Sequence, residues 1–150
     1  TLSPMGHIEP KEFEQVMAVN VTANWRLIRS MDPLLRASDA GRAIFMTSGV
    51  ARRVVPFWGA YAVSKAALDM LVGVYAAELV DTKVRVNLYN PGGTRTGMRA
   101  AAFPGEDPMT LPTPEMHVEG LIQLALPSCE LHGQWVAGDM SVKPKSATQH

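Results

Sequence analysis

Tyr61 and Lys65 stand four residues apart in a stretch of helical character, so their side chains leave one helix face about a turn apart. An ammonium beside a phenol favours the phenolate. Bringing a phenol from its ordinary ~10 to near neutrality takes ~3–4 kcal/mol of differential interaction, and a nearby lysine supplies part of that. A tyrosine so tuned passes a proton to or from a substrate oxygen. The pair alone is a common coincidence, so its surroundings decide its weight. Ser48 lies thirteen residues before Tyr61, at the end of a short apolar run. Neighbouring Thr47 is its rival, because successive strand side chains point to opposite faces and only one of the two can face a cleft. Farther on, Pro91-Gly92-Gly93 lets a flat ligand approach the backbone, and Thr94 and Thr96 add hydroxyls. Taken separately, each of these is also an ordinary turn.

The elements that must position these groups follow from periodicity and punctuation. Residues 1–9 read as loop. Pro10, Glu12 and Glu14 suit a helix amino terminus, and the pattern runs helical over 12–31, with Pro33 expected to kink or stop it. Residues 43–46 are a short buried strand ending at Thr47-Ser48-Gly49. Residues 60–80 form a long helix whose apolar positions do not keep to one stripe. Val63, Ala67, Leu71 and Val74 fall on one side, and Leu68, Val72, Tyr75 and Leu79 on another. Such a helix needs cover on more than one side: the sheet on one, a partner subunit on the other. Residues 83–89 alternate as a second strand, 97–114 form a loop that opens with a short helical turn, 115–125 a helix, and 134–137 a last short strand. Strand–helix–strand–helix–strand predicts a parallel α/β sheet built by right-handed crossovers. Its first strand has an unpaired edge unless something precedes it.

Bulk properties exclude several classes. Fourteen basic and fourteen acidic residues cancel, which removes any electrostatic case for nucleic acid or an anionic membrane surface. No apolar run reads as a membrane span and no secretory pattern opens the sequence. A single cysteine, Cys129, fits a reducing compartment, and the expectation is a cytoplasmic protein. His7, His117, His132 and His150 are scattered without metal-ligand spacing and read as surface or loop residues. Arg52-Arg53 reads as a solvated loop pair. Trp58 either lines the substrate side or packs, and Phe103 and Met109 either form a lid or pack.

Together the motifs resemble a known family. Asn20 within Val19-Asn20-Val21, Ser48, Tyr61-Ala62-Val63-Ser64-Lys65, Val84-Arg85-Val86-Asn87 and Asn90-Pro91-Gly92-Gly93-Thr94-Arg95-Thr96 look like the short-chain dehydrogenases/reductases. The similarity is orderly from about Phe13 to Met98 and looser beyond. It implies a Rossmann-like fold and NAD(P)-dependent interconversion of an alcohol and a carbonyl on a small-molecule substrate. Tyr61 would be the general acid or base. Lys65 would lower its pKa, helped by a cationic nicotinamide ring, and hydrogen-bond the nicotinamide ribose. Ser48 would hold the substrate oxygen, and Asn20 would fix a water in a proton relay. Pro91, Gly92, Gly93, Thr94 and Thr96 would meet the nicotinamide carboxamide and the pyrophosphate. The family's helices at 12–31 and 60–80 build a four-helix interface, which implies a homodimer or homotetramer.

The resemblance also has gaps. The Gly-x-x-x-Gly-x-Gly turn that cradles pyrophosphate is not in this sequence, nor is the residue that selects NAD or NADP. In family terms residues 1–150 correspond to the carboxy-terminal part of one domain, with strands 5–7 present and strands 1–4 absent. Thr1 follows either a removed initiator methionine or a longer chain, and the intact motifs favour the longer chain. Two functions are therefore expected to compete: an oxidoreductase in its full-length form, or a catalytically incompetent fragment that only dimerises or binds.

Overall fold

The computed structural model describes residues 2–143. Three strands pair in parallel: β1 (Arg42–Met46), β2 (Arg85–Asn90) and β3 (Trp135–Ala137). Arg42 lies opposite Arg85 and Leu88 opposite Trp135. A fourth strand, β4 (Val142–Lys143), pairs antiparallel to β3, giving the order β1-β2-β3-β4. The sequence reading lacked β4, because two residues carry too little alternation to register. The outer edge of β1 has no strand partner among the described residues.

Helices cover both faces. On one, α3 (Gly59–Glu78) buries Leu68, Val72, Tyr75 and Ala76 against Phe45, Val86, Leu88 and Trp135. On the other, α5 (Val118–Ala125) brings Leu124 onto Tyr89 and Val136, with Ile44 alongside. β2 is therefore buried on both sides, and Val86 and Tyr89 are fully enclosed. The chain steps the same way across the sheet over α3 and then over α5, on opposite faces. The two crossovers consequently have opposite hands, and the expectation of right-handed crossovers throughout does not hold. Of the two apolar stripes on α3, the one through Leu68 and Val72 faces the sheet, whereas Val63 and Val74 stay exposed. By length and composition α3 could also cross a bilayer, contrary to the reading above, a property it shares with core helices of globular sheets.

Two further departures concern the first helical region. The 12–31 helix is in fact α1 (Pro10–Met17), a π-helical turn (Ala18–Thr22) and α2 (Ala23–Ala37). Pro33 does not end α2, which continues through it. Ile28 and Leu35 pack on the core, Asp32 accepts a 2.8 Å hydrogen bond from the Tyr75 hydroxyl, and Arg36 returns to Asp32. This tertiary anchorage outweighs the one helical hydrogen bond that proline cannot donate. Gly41 then turns the chain into β1, where any Cβ would run into the Leu35 carbonyl oxygen. The 97–114 segment holds a true helix, α4 (Gly97–Ala102), and a 3-10 turn at Pro108–Thr110; residues 5–7 and 114–117 form similar short turns.

Pro33 is exposed and mid-helix, so Pro33→Ala restores a backbone donor at no packing cost. It should raise the denaturation midpoint, with a gain of up to about 3 kcal/mol. A lowered midpoint in urea titration would show that Pro33 itself is structural.

Candidate active site

The carboxyl end of β1 meets the amino-terminal half of α3, and three consecutive residues are engaged there. The Met46 carbonyl accepts a 2.9 Å hydrogen bond from Lys65 Nζ. The Thr47 hydroxyl donates to the Asp69 carboxylate. The Ser48 hydroxyl lies beside the Tyr61 phenol, close enough to favour its anion. Tyr61, Lys65 and Asp69 recur every four residues, so one stripe of α3 grips the whole strand end. The Thr47/Ser48 ambiguity resolves accordingly: Thr47 is buried under α3, while Ser48 leaves the strand and opens the 3-10 turn Gly49–Arg52 beside Tyr61.

Electrostatics at this junction are dominated by burial. Burial pushes the Tyr61 phenol above its ordinary range, and the Ser48 hydrogen bond partly offsets this. Lys65 Nζ lies 5.7 Å from the Tyr61 ring centre and is committed to Met46, so the expected lowering of Tyr61 by Lys65 is not what this geometry displays. Lys65 is itself only 8% exposed; burial lowers its pKa and the charge of Asp69 raises it. Burial also raises Asp69, against hydrogen bonds from Thr47 and Arg52 and the Arg52 charge. The Trp135 indole N–H sits near enough to favour the Asp69 anion without completing a hydrogen bond.

Asn20 lies in the π-helical turn, and its Nδ2 donates to Ser64 Oγ at 3.0 Å; Ser64 in turn donates to the Tyr61 carbonyl at 2.8 Å. The turn thus docks onto α3 beside the Tyr61–Lys65 stripe. At the end of β2, Gly92 adopts φ 77°, a left-handed conformation that favours glycine. Its N–H is held by Asn90 Oδ1 at 3.1 Å. The Thr94 hydroxyl contacts His117 Nε2 at 3.1 Å, and the Thr96 hydroxyl caps α4 by accepting from the Arg99 N–H. A cavity of about 380 Å³ opens between Pro91, Gly92, His117 and Gly138. Pro91 and Gly92 line this cavity beyond the carboxyl end of β2, Gly93 follows them, and the hydroxyls of Thr94 and Thr96 are already engaged.

Sequence reasoning missed several residues. His117 is buried between Tyr89 and Thr94, and His132 joins the Val86 N–H to the Ala76 carbonyl; neither is a plain surface residue. His150 lies outside the described residues. Arg52 is not a solvated loop residue: it pairs with Asp69 and covers the Trp135 ring at 4.8 Å, while Arg53 is exposed. Asp69 was visible in principle, one helical turn after Lys65. Trp58 stacks obliquely between Tyr61 and Phe103, at 5.8 and 5.7 Å, and Arg99 covers Phe103 while chelating Glu106 with two 2.7 Å bonds. Met109 stays exposed. No group of acidic, histidine or cysteine side chains among the described residues could hold a metal ion.

Comparison with known proteins gives the family and the fold. The family model for short chain dehydrogenases matches residues 1–107. The chain belongs to the short-chain dehydrogenase family. It is 49% identical over 111 residues to YciK, an uncharacterized oxidoreductase of Escherichia coli K12; the match covers 74% of this chain and 44% of YciK. A short chain dehydrogenase of Salmonella enterica serovar Typhi superposes with a TM-score of 0.87 at 41% identity, over 91% of this chain and 57% of that one. A similar protein of Escherichia coli CFT073, solved with NADPH, gives 0.86 at 41% identity, over 91% and 57%. The chain thus spans about half the length of the relatives it matches, and the fold is the α/β, Rossmann-like fold of that family.

Because Ser48 alone offsets the burial of Tyr61, Ser48→Ala should move the Tyr61 titration to still higher pH. The ¹³Cζ resonances of the three tyrosines report this directly. A folded phenol with a raised pKa costs stability as pH climbs from the ordinary tyrosine range through the folded value. Alkaline destabilisation should therefore steepen in the variant. An unmoved Tyr61 resonance would show that the hydrogen bond carries no weight.

Proposed function

We propose that the intact protein is an NAD(P)-dependent oxidoreductase that interconverts an alcohol and a carbonyl. One observation carries this reading: Ser48, Tyr61 and Lys65 meet at the carboxyl end of a strand in a parallel sheet, where ligands of such sheets bind. NADPH in the Escherichia coli CFT073 relative supports the cofactor class. We assign residues 1–150 to the carboxy-terminal part of the family domain, with β1, β2 and β3 as its strands 5–7; the order of the Ser48, Tyr61–Lys65 and Pro91–Thr96 motifs supports this.

The residues present fit the nicotinamide end of such a cofactor. Lys65 offers an ammonium and Tyr61 a hydroxyl, and the left-handed Gly92 exposes backbone without a side chain in the way. Lys65, Tyr61 and the backbone of Pro91–Thr94 would hold it, with Thr96 towards the pyrophosphate. The cofactor supplies the hydride; this chain supplies orientation and the proton. Ser48 binds the substrate oxygen and polarises it. Tyr61 delivers its proton to that oxygen in reduction and removes it in oxidation. A phenol held protonated by burial suits the reductive direction. Asn20, tethered to Ser64, keeps the relay side of α3 in place. Trp58 and Phe103 give the approach to Tyr61 an apolar aromatic wall, consistent with a small organic carbonyl.

The reading extends to assembly and location. The exposed stripe of α3, with Val63, Met70 and Val74, and the exposed Trp25, Leu27 and Met31 of α2 make an apolar surface suited to a second copy. We propose a homodimer or homotetramer through these helices, in the cytoplasm. A fragment that only dimerises is the second reading, favoured by the same surface.

Two experiments test these points. In the intact protein, Tyr61→Phe should reduce turnover by roughly 10²–10⁴-fold while NADPH binding, followed by fluorescence, persists. Unchanged turnover would remove Tyr61 from the chemistry. Sedimentation equilibrium at micromolar concentration should find dimer or tetramer, and Val74→Glu should shift it towards monomer. A monomeric wild type would end the assembly proposal.

A further inference from the structure

Asp69 has no part in the scheme above, yet it is the least expected charge near the site. It sits one turn beyond Lys65 on α3, with its carboxylate only 13% exposed. Four elements converge on it. Thr47 donates from the end of β1, Arg52 Nε approaches to 3.4 Å from the 3-10 turn, the Trp135 indole faces it from β3, and Lys65 lies on its own helix. Lys65 and Arg52 are the charged groups that face it. Burial works against the charge on both Asp69 and Lys65, and these donors and the opposite charges oppose it.

We infer that Asp69 is a positioning residue: it keeps Lys65 charged and, through Thr47, sets the strand end that presents Ser48 to Tyr61. The inference rests on the proposed chemistry for its functional meaning but not for its physical content. Three consecutive residues from the end of β1 onward face one helical stripe, and Asp69 holds the middle one. If the carboxylate is lost, the buried cation keeps a carbonyl partner but loses its counter-charge. Burial lowers the Lys65 pKa, and the Asp69 charge opposes that lowering.

Side-chain NMR on the full chain, with lysine labelled at Nζ and Cε, reads the Lys65 titration without any assay of activity. Asp69→Asn keeps the shape and removes the charge, and Lys65 should then lose its proton about one pH unit lower, or more. Asp69→Glu should restore most of the shift. Arg52→Gln removes the competing cation from a half-exposed turn and should move Lys65 upwards, so the inference stays testable even if Asp69→Asn does not fold. In the intact protein Asp69→Asn should lower kcat at neutral pH with the KM for NADPH little changed. An unmoved Lys65 in both Asp69→Asn and Arg52→Gln overturns the inference. A shifted Lys65 alongside an active Tyr61→Phe sustains it while removing the proposed chemistry, so the two failures are distinct.

Discussion

A buried ammonium is the constraint around which this fold is arranged. Water solvates a lysine far better than a protein interior does, and an unpaired cation at Lys65 would discharge or drive the helix away from the sheet. Here a carbonyl at 2.9 Å and the charge of Asp69 one turn away offset part of the cost. Both partners lie at the junction of β1 and α3, so the geometry that solvates Lys65 also fixes the distance between strand end and helix. Ser48 and Tyr61 inherit their alignment from it. The apolar packing of Leu68, Val72 and Phe45 below makes the junction stiff, and the polar contacts above give it a register.

That hierarchy explains what the sequence revealed. Tyr61 and Lys65 were legible because a helix places positions four apart on one face. The strands at 42–46 and 85–90 were legible, the first as a short apolar run and the second by its alternation around Val84, Val86 and Leu88. Asp69 followed the same spacing and went unread, since a lone carboxylate on a helix is ordinarily solvated; only tertiary burial beneath Trp135 distinguishes it. Arg52 and His117 failed for a related reason. Each sits in a loop whose sequence gives no periodicity, and each becomes buried because distant segments close over it. Pro33 and the second crossover reflect tertiary packing overriding local rules, and β4 depends on pairing with β3 rather than on its own pattern.

The segment after β2 depends on contacts of another kind. Arg95 binds the Pro108 and Leu111 carbonyls, and Arg99 chelates Glu106 while covering Phe103. A stretch rich in proline and glycine is thereby folded around two guanidinium groups instead of an apolar core. Phe103 reaches Trp58, and Trp58 reaches Tyr61, so the loop touches the site through aromatic edges. Such a loop can change in sequence without disturbing the sheet, because its anchors lie within itself.

The π-helical turn at Ala18–Thr22 sets the phase of everything before it. A π turn holds one residue more than an α turn, and each α-helical residue advances the helix by ~100°. Shortening the turn by one residue would leave a smooth helix, yet α1 would swing by roughly that angle relative to α2. Phe13 and Val16 would rotate off the surface where they are now partly covered, and Asn20 could not keep both Ser64 and its place in the chain. The segment therefore behaves as two helices geared through a single extra residue, tolerant of substitution along its length and intolerant of a change in count.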